Sequence, residues 1–120
     1  MIIDPWRHSQ GLKRLHPYAL VVAMGRVGNQ TWLATNGHYI HAEEALIKKI
    51  PRSIPGHRIH VMVWRISTPP PKKIPTLTMA KPCDGCQAIL WRREIKARNV
   101  WYADWIGQFR RMSDHEQHRE

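Results

Sequence analysis

Apolar and polar positions along this 120-residue chain divide it into short strand-like and helix-like stretches separated by turn residues. Tyr18-Ala19-Leu20-Val21-Val22-Ala23-Met24 reads as a first strand, Gly28-Asn29 as a turn, and Gln30 to Thr35 as the hairpin partner. Asn36-Gly37 breaks that strand. His41 to Ile50 reads as a first helix ended by Pro51. The clearest strand is His57 to Ile66, after which Pro69-Pro70-Pro71-Lys72-Lys73 predicts an extended loop incompatible with helix. Cys83 to about Lys96 predicts a second helix, Val100 to Ala103 a buried strand, and Phe109 to Met112 a last short one. Strands and helices alternate, which predicts an α/β layered fold without internal repeats.

The order of the last elements carries a topological consequence. Only the five residues Asp104 to Gln108 separate the Val100 strand from the Phe109 strand. A parallel crossover needs a dozen or so residues, so the last two strands are predicted to be an antiparallel hairpin.

Candidate chemistry sits at the starts of the two helices. The only two cysteines form the segment Pro82-Cys83-Asp84-Gly85-Cys86, and His41-Ala42-Glu43 precedes it by 42 residues. Two thiolates and an imidazole are zinc ligands, and three protein ligands leave an open position for a water whose pKa the ion lowers toward neutrality. Cysteines so spaced reach one ion when the chain between them turns into a helix; Gly85 leaves that turn unhindered, and the helix start favours thiolate. Glu43, two residues after His41, is directed to a different point near the same ion, where a carboxylate takes a proton from the water and returns it elsewhere.

Other readings of the same residues are a redox cysteine pair and a closed structural zinc site. The redox reading leaves His41 and Glu43 without a role. A closed site needs a fourth ligand, for which His38 is the histidine nearest along the chain to His41. Glu44 reads as an ordinary charge on the helix surface.

Together, His41-Ala42-Glu43 and Pro82-Cys83-Asp84-Gly85-Cys86 resemble the H-x-E and P-C-x-x-C signature of the zinc-dependent nucleobase deaminases, the superfamily acting on cytidine, deoxycytidylate and cytosine or adenine in nucleic acids. The similarity extends from about Ala19 to about Met112. It implies a three-layer α-β-α fold on a mixed sheet of about five strands. It also implies one zinc ion per chain on His41, Cys83 and Cys86, Glu43 as proton shuttle, Pro82 shaping the turn into the second motif helix, and the backbone of Ala42 touching the base. The short antiparallel ending is similar to the branch of cytidine deaminases and toxin-like cytosine deaminases, whereas adenosine-editing and vertebrate DNA-editing members run these strands parallel.

The chain also departs from familiar members. Free-nucleoside cytidine deaminases commonly carry cysteine where His41 stands, which moves weight toward deoxynucleotide or polynucleotide substrates. The 15-residue link between Ile66 and Pro82 is long and Pro-rich, and the chain stops soon after its final strand. Substrate contacts that larger relatives place in later helices are therefore expected from loops or from a neighbouring subunit, which admits a homo-oligomer.

Composition narrows the partners. Nineteen basic residues against nine acidic give +10, with eight against three in residues 1–60 and eleven against six in residues 61–120. The domain is basic throughout, and such a field attracts phosphates on a strand or on a nucleotide. Lys72, Lys73, Arg92 and Arg93, with Lys96 and Arg98, are candidate backbone contacts, against the alternative of a solvated face. Trp32, Trp64 and Trp101 lie in predicted strands and read as core, while Trp105 beside Asp104 and, more weakly, Trp6 are candidates for base stacking; Tyr102 fits either use. Asn36, five residues before His41, is a candidate for holding the sugar or base edge, ahead of Asn29, with a plain turn role as the alternative.

Size and an apolar content of 42% suit one core. The expected organisation is an N-terminal arm over 1–17, a deaminase domain over 18–112 and a polar tail over 113–120. There is no apolar run near 18 residues and no signal-like segment, so neither a membrane nor an export route is expected. Paired thiols kept for a metal imply a reducing, cytoplasmic setting.

The function these readings favour is zinc-dependent hydrolytic deamination of cytosine to uracil in single-stranded or locally opened nucleic acid. Deamination of free deoxycytidine or deoxycytidylate shares the chemistry, and RNA adenosine deamination shares the motif. A basic nucleic-acid-binding module with a structural zinc is the non-enzymatic alternative.

Overall fold

A computed structural model describes residues 19–37, 40–67, 76–104 and 108–113. The arm over 1–17, the Pro-rich loop with Lys72 and Lys73, His38, Trp105 and nearly all of the C-terminal tail lie outside those residues. The first strand, β1 (Ala19–Val27), turns directly into β2 (Gln30–Thr35). Gly28 takes the left-handed conformation, φ +57°, that a tight hairpin connection requires. A helix α1 (Ala42–Lys49) follows, then β3 (His60–Ser67), β4 (Thr76–Thr78), α2 (Asp84–Arg92), β5 (Val100–Ala103) and β6 (Phe109–Arg111).

These strands form one mixed sheet in the order β2-β1-β3-β5-β6. The only parallel pair among them is β3–β5, with Val61 opposite Val100 and Val63 opposite Tyr102. The terminal hairpin has the predicted antiparallel sense, Trp101 facing Arg111 and Ala103 facing Phe109. Asp104 closes its loop: its backbone N–H donates to Gln108 O at 2.7 Å, and its carboxylate accepts from Gln108 N at 2.9 Å and Arg110 Nε at 2.6 Å.

Strand alternation sorts the core into two clusters. Ala23, Val61, Val63, Val100 and Tyr102 face the helices, where Leu46 and Ile50 from the α1 region and Leu90 of α2 meet them. Leu20, Val22, Met24, Trp64, Ile66 and Ala103 form the opposite cluster, none of them more than 3% exposed. Both faces are thus covered, and the architecture matches the three-layer α-β-α arrangement. Of the three strand tryptophans, only Trp64 is fully buried. Trp32 and Trp101 are half-buried, and Arg111 stacks 5.0 Å over the Trp101 ring. No helix among the described residues is long and apolar enough to cross a membrane.

The structure corrects four boundaries. β1 continues to Val27, because β3 pairs with it as far as Arg26 opposite His60. The residues before His60 belong instead to a short 3-10 turn, Gly56–Arg58. Where a long link was expected, β4 adds a three-residue strand to the end of β3, Arg65 opposite Thr78, beyond the stretch that β5 occupies.

The fourth correction concerns α2, which stops at Arg92 and not near Lys96. Glu94 adopts φ +67°, its N–H bonds to Trp91 O at 2.9 Å, and the Ile95 N–H bonds to Leu90 O at 3.1 Å. These bonds make a Schellman ending with Ile95 and Leu90 packed in one core. Glycine usually holds that left-handed position, and glutamate there gave no stop signal in the sequence. Directly against this ending lies Gly56, where an added Cβ would fall 1.9 Å from Arg93 O.

Candidate metal centre

Both motif segments occupy the same local position, the first residues of a helix. His41 is the N-cap of α1 and Cys83 the N-cap of α2, with extended backbone and no side-chain capping bond. Neither side chain is diverted to its own helix. Acidic residues open each helix, Glu43 and Glu44 in α1 and Asp84 in α2, and basic residues end each one, in accord with the helix dipole. Gln87 ties the entry to α2 together by donating from Nε2 to Pro82 O at 2.8 Å. Pro82 itself is buried at the entry to α2.

Convergence of the two helix starts brings three donor atoms together. His41 Nδ1 lies 3.3 Å from Cys86 Sγ and 3.9 Å from Cys83 Sγ, and all three atoms lie within 4.8 Å of one another. Tetrahedral zinc, with bonds of about 2.3 Å to sulfur and about 2.0 Å to nitrogen, sets N···S edges at about 3.6 Å. The two observed separations bracket that value, so this His/Cys/Cys set fits one zinc ion per chain. Among the described residues no fourth His, Cys, Asp or Glu joins the group.

Glu43 stands beside the donors without being one of them. It is buried, 5% exposed, and interacts with the Cys86 thiol. Burial foremost, then the Glu43 carboxylate and Cys83, push the Cys86 thiol well above its ordinary pKa. The helix start favours thiolate, whereas desolvation and negative neighbours act in the opposite sense. A divalent cation held by these donors would favour the thiolate form.

A pocket of about 550 Å³ opens on this centre. His41, Glu43 and Cys83 form its reactive wall, and Val21, Ile40, Ala42 and Met79 supply apolar surface. Asn36 lines it too, held by two bonds to Val21: its N–H to Val21 O at 3.2 Å, and Val21 N–H to its own Oδ1 at 3.0 Å. The carboxamide oxygen is therefore occupied by the backbone, and the NH2 group is the end left for the pocket. Two cations on the lining, Arg65 and Lys81, were absent from the sequence reading. Arg65 is far along the chain from both motifs, whereas Lys81 directly precedes Pro82 and by position alone reads as an ordinary surface charge.

Arg92 and Arg93 lie elsewhere. They belong to the far end of α2, where a separate hollow of about 600 Å³ is lined also by Lys48 and Arg52 and shares no residue with the pocket at the metal centre. Arg93 Nη2 donates to Pro51 O at 3.0 Å and Ile54 O at 2.8 Å, so this guanidinium pins the loop after α1 to the end of α2. Arg92 is exposed.

No family model, curated protein or solved structure matches the chain. The structure shows a His/Cys/Cys cluster capable of coordinating a metal ion, on paired helix starts against a mixed sheet, consistent with a zinc-binding deaminase-like fold.

Proposed function

We propose that the protein is a zinc-dependent hydrolytic deaminase that converts cytosine to uracil in single-stranded or locally opened nucleic acid. The observation that carries the reading is the buried Glu43 carboxylate beside a three-donor centre at the wall of an open pocket. A redox pair needs no such carboxylate, and among the described residues no fourth ligand closes the site.

Bound zinc supplies Lewis-acid activation of water. Glu43 accepts the water proton as oxygen adds to C4 of cytosine, and passes that proton to N3. A second proton, carried by Glu43 from the added hydroxyl to the exocyclic nitrogen, lets the C4–N bond break. Ammonia leaves and C4 becomes a carbonyl. The apolar walls from Val21, Ile40 and Met79 exclude competing water from the base, and Asn36 offers its amide NH2 to the sugar or base edge.

Cytosine over adenine is supported by the antiparallel β5–β6 pairing, the arrangement similar to the cytidine-deaminase branch. A polymer substrate is supported by the net charge of +10 and by histidine at position 41. The test is a panel of single-stranded DNA, duplex DNA, RNA, nucleosides and nucleotides, read by a mass change of about one dalton, the replacement of an amino group by oxygen. Conversion of cytosine fastest in single strands is the expected result. Activity on monomers alone assigns the protein to nucleotide chemistry, and conversion of adenine to hypoxanthine overturns the base assignment.

A further inference from the structure

Arg65 is a break in an otherwise apolar row. Val61, Val63 and Arg65 share the helix-facing side of β3 by alternation. The two valines are buried in the core, whereas Arg65 is exposed and lines the pocket at the metal centre. A core position at this place in the row would call for another apolar residue. The cation appears where the sheet passes beyond the helices and opens into the pocket.

Cross-strand register places this residue against the rest of the site. Arg65 lies opposite Val21 of β1, and Val21 is bonded to Asn36 beyond β2. With strands spaced about 4.8 Å apart, Asn36 and Arg65 stand two spacings apart, roughly 10 Å, with apolar Val21 between them. Lys81 approaches from the other direction. It lies three residues past Thr78, the β4 partner of Arg65, and the intervening Ala80 is held by its N–H bond to Ala103 O at 2.9 Å. Lys81 is exposed and lines the same pocket.

The charges of the site leave these cations without an internal task. Two thiolates balance one divalent ion, and Glu43 is the single carboxylate among the pocket lining residues. No ion pair or hydrogen bond joins Arg65 or Lys81 to another of the described residues. Two cations on the lining of a mixed polar and apolar pocket of about 550 Å³, larger than a pyrimidine base alone, fit an anionic group that enters with the base.

We infer that Arg65 and Lys81 form a phosphate subsite, so that the substrate is a phosphorylated cytosine derivative and not a free nucleoside. The inference rests on the deaminase reading and names the substrate class for the same pocket. A nucleotide monoester and a strand phosphodiester share this chemistry, and the experiment separates them.

Deamination of deoxycytidine, deoxycytidylate and a single-cytosine DNA strand is to be compared for the zinc-loaded protein and for Arg65→Gln and Lys81→Gln. Arg58→Gln, an equal loss of charge outside the pocket lining, controls for the general field. Hydrogen bonds to charged groups are worth about 1.5–3 kcal/mol, so each pocket variant is expected to lower the preference in kcat/KM for phosphorylated substrate over deoxycytidine by about tenfold or more. The control leaves the preference in place. Whether the loss falls on deoxycytidylate or on the strand identifies the phosphate source.

Calorimetric binding of deoxyuridylate against deoxyuridine gives a readout that does not depend on turnover. Phosphate-dependent binding lost in Arg65→Gln, with no deamination of any substrate, supports the subsite and rejects the deaminase reading. Deamination with a preference unchanged in both variants rejects the subsite and keeps the reading.

Discussion

Replacing Glu43 by glutamine separates proton transfer from metal binding more cleanly than any other single change. The carboxylate is 5% exposed, adjoins Cys86, and stands outside the three-donor group, so the substitution preserves shape and all three ligands. What disappears is the capacity to accept and return a proton. General acid–base catalysis contributes about 10²- to 10⁴-fold, which at about 1.36 kcal/mol per decade is about 2.7–5.4 kcal/mol of barrier. Ammonia release should fall by that factor while elemental analysis still finds one zinc per chain. Thermal stability should hold or rise, since a buried negative charge has been removed. Turnover within threefold of the parent protein would refute the proton role. Loss of zinc would instead make Glu43 a ligand.

Cys83→Ser and Cys86→Ser should each reduce zinc content well below one per chain and abolish deamination, because a neutral hydroxyl replaces a thiolate ligand; full activity without metal would reject the centre. Arg93→Gln should destabilise the fold by about 1–3 kcal/mol in a urea titration, since it removes the donor to Pro51 O and Ile54 O. Its zinc content should stay at one, and an unchanged midpoint would contradict the pinning role.

Much of the architecture could be read along the chain because its signals are local. The apolar runs of β1 and β3 and the tight Gly28-Asn29 connection depend on neighbours a few residues away, and the Asp104–Gln108 gap permits only one sense for the last hairpin. The motif residues were legible for a related reason: few chemistries need histidine, glutamate and two cysteines at those spacings.

Other features existed only once distant segments met. The three residues of β4 are too few to show a period, and their pairing comes from the end of β3 that β5 leaves unpaired. The end of α2 depends on Glu94 accepting a left-handed conformation because Ile95 then packs in the core, a gain that local propensity does not register. Arg92 and Arg93 looked alike as adjacent bases, yet one is exposed and the other holds two loop carbonyls.

The pocket follows the same division. Sequence alone determined which side chains can hold a metal and move a proton, because that is a property of their functional groups. Tertiary structure alone decided that Arg65 shares a wall with them and that Lys81, next to the cysteine motif, faces the same pocket, because a cation's use depends on what lies within a few ångströms, and those neighbours come from four separate segments of the chain.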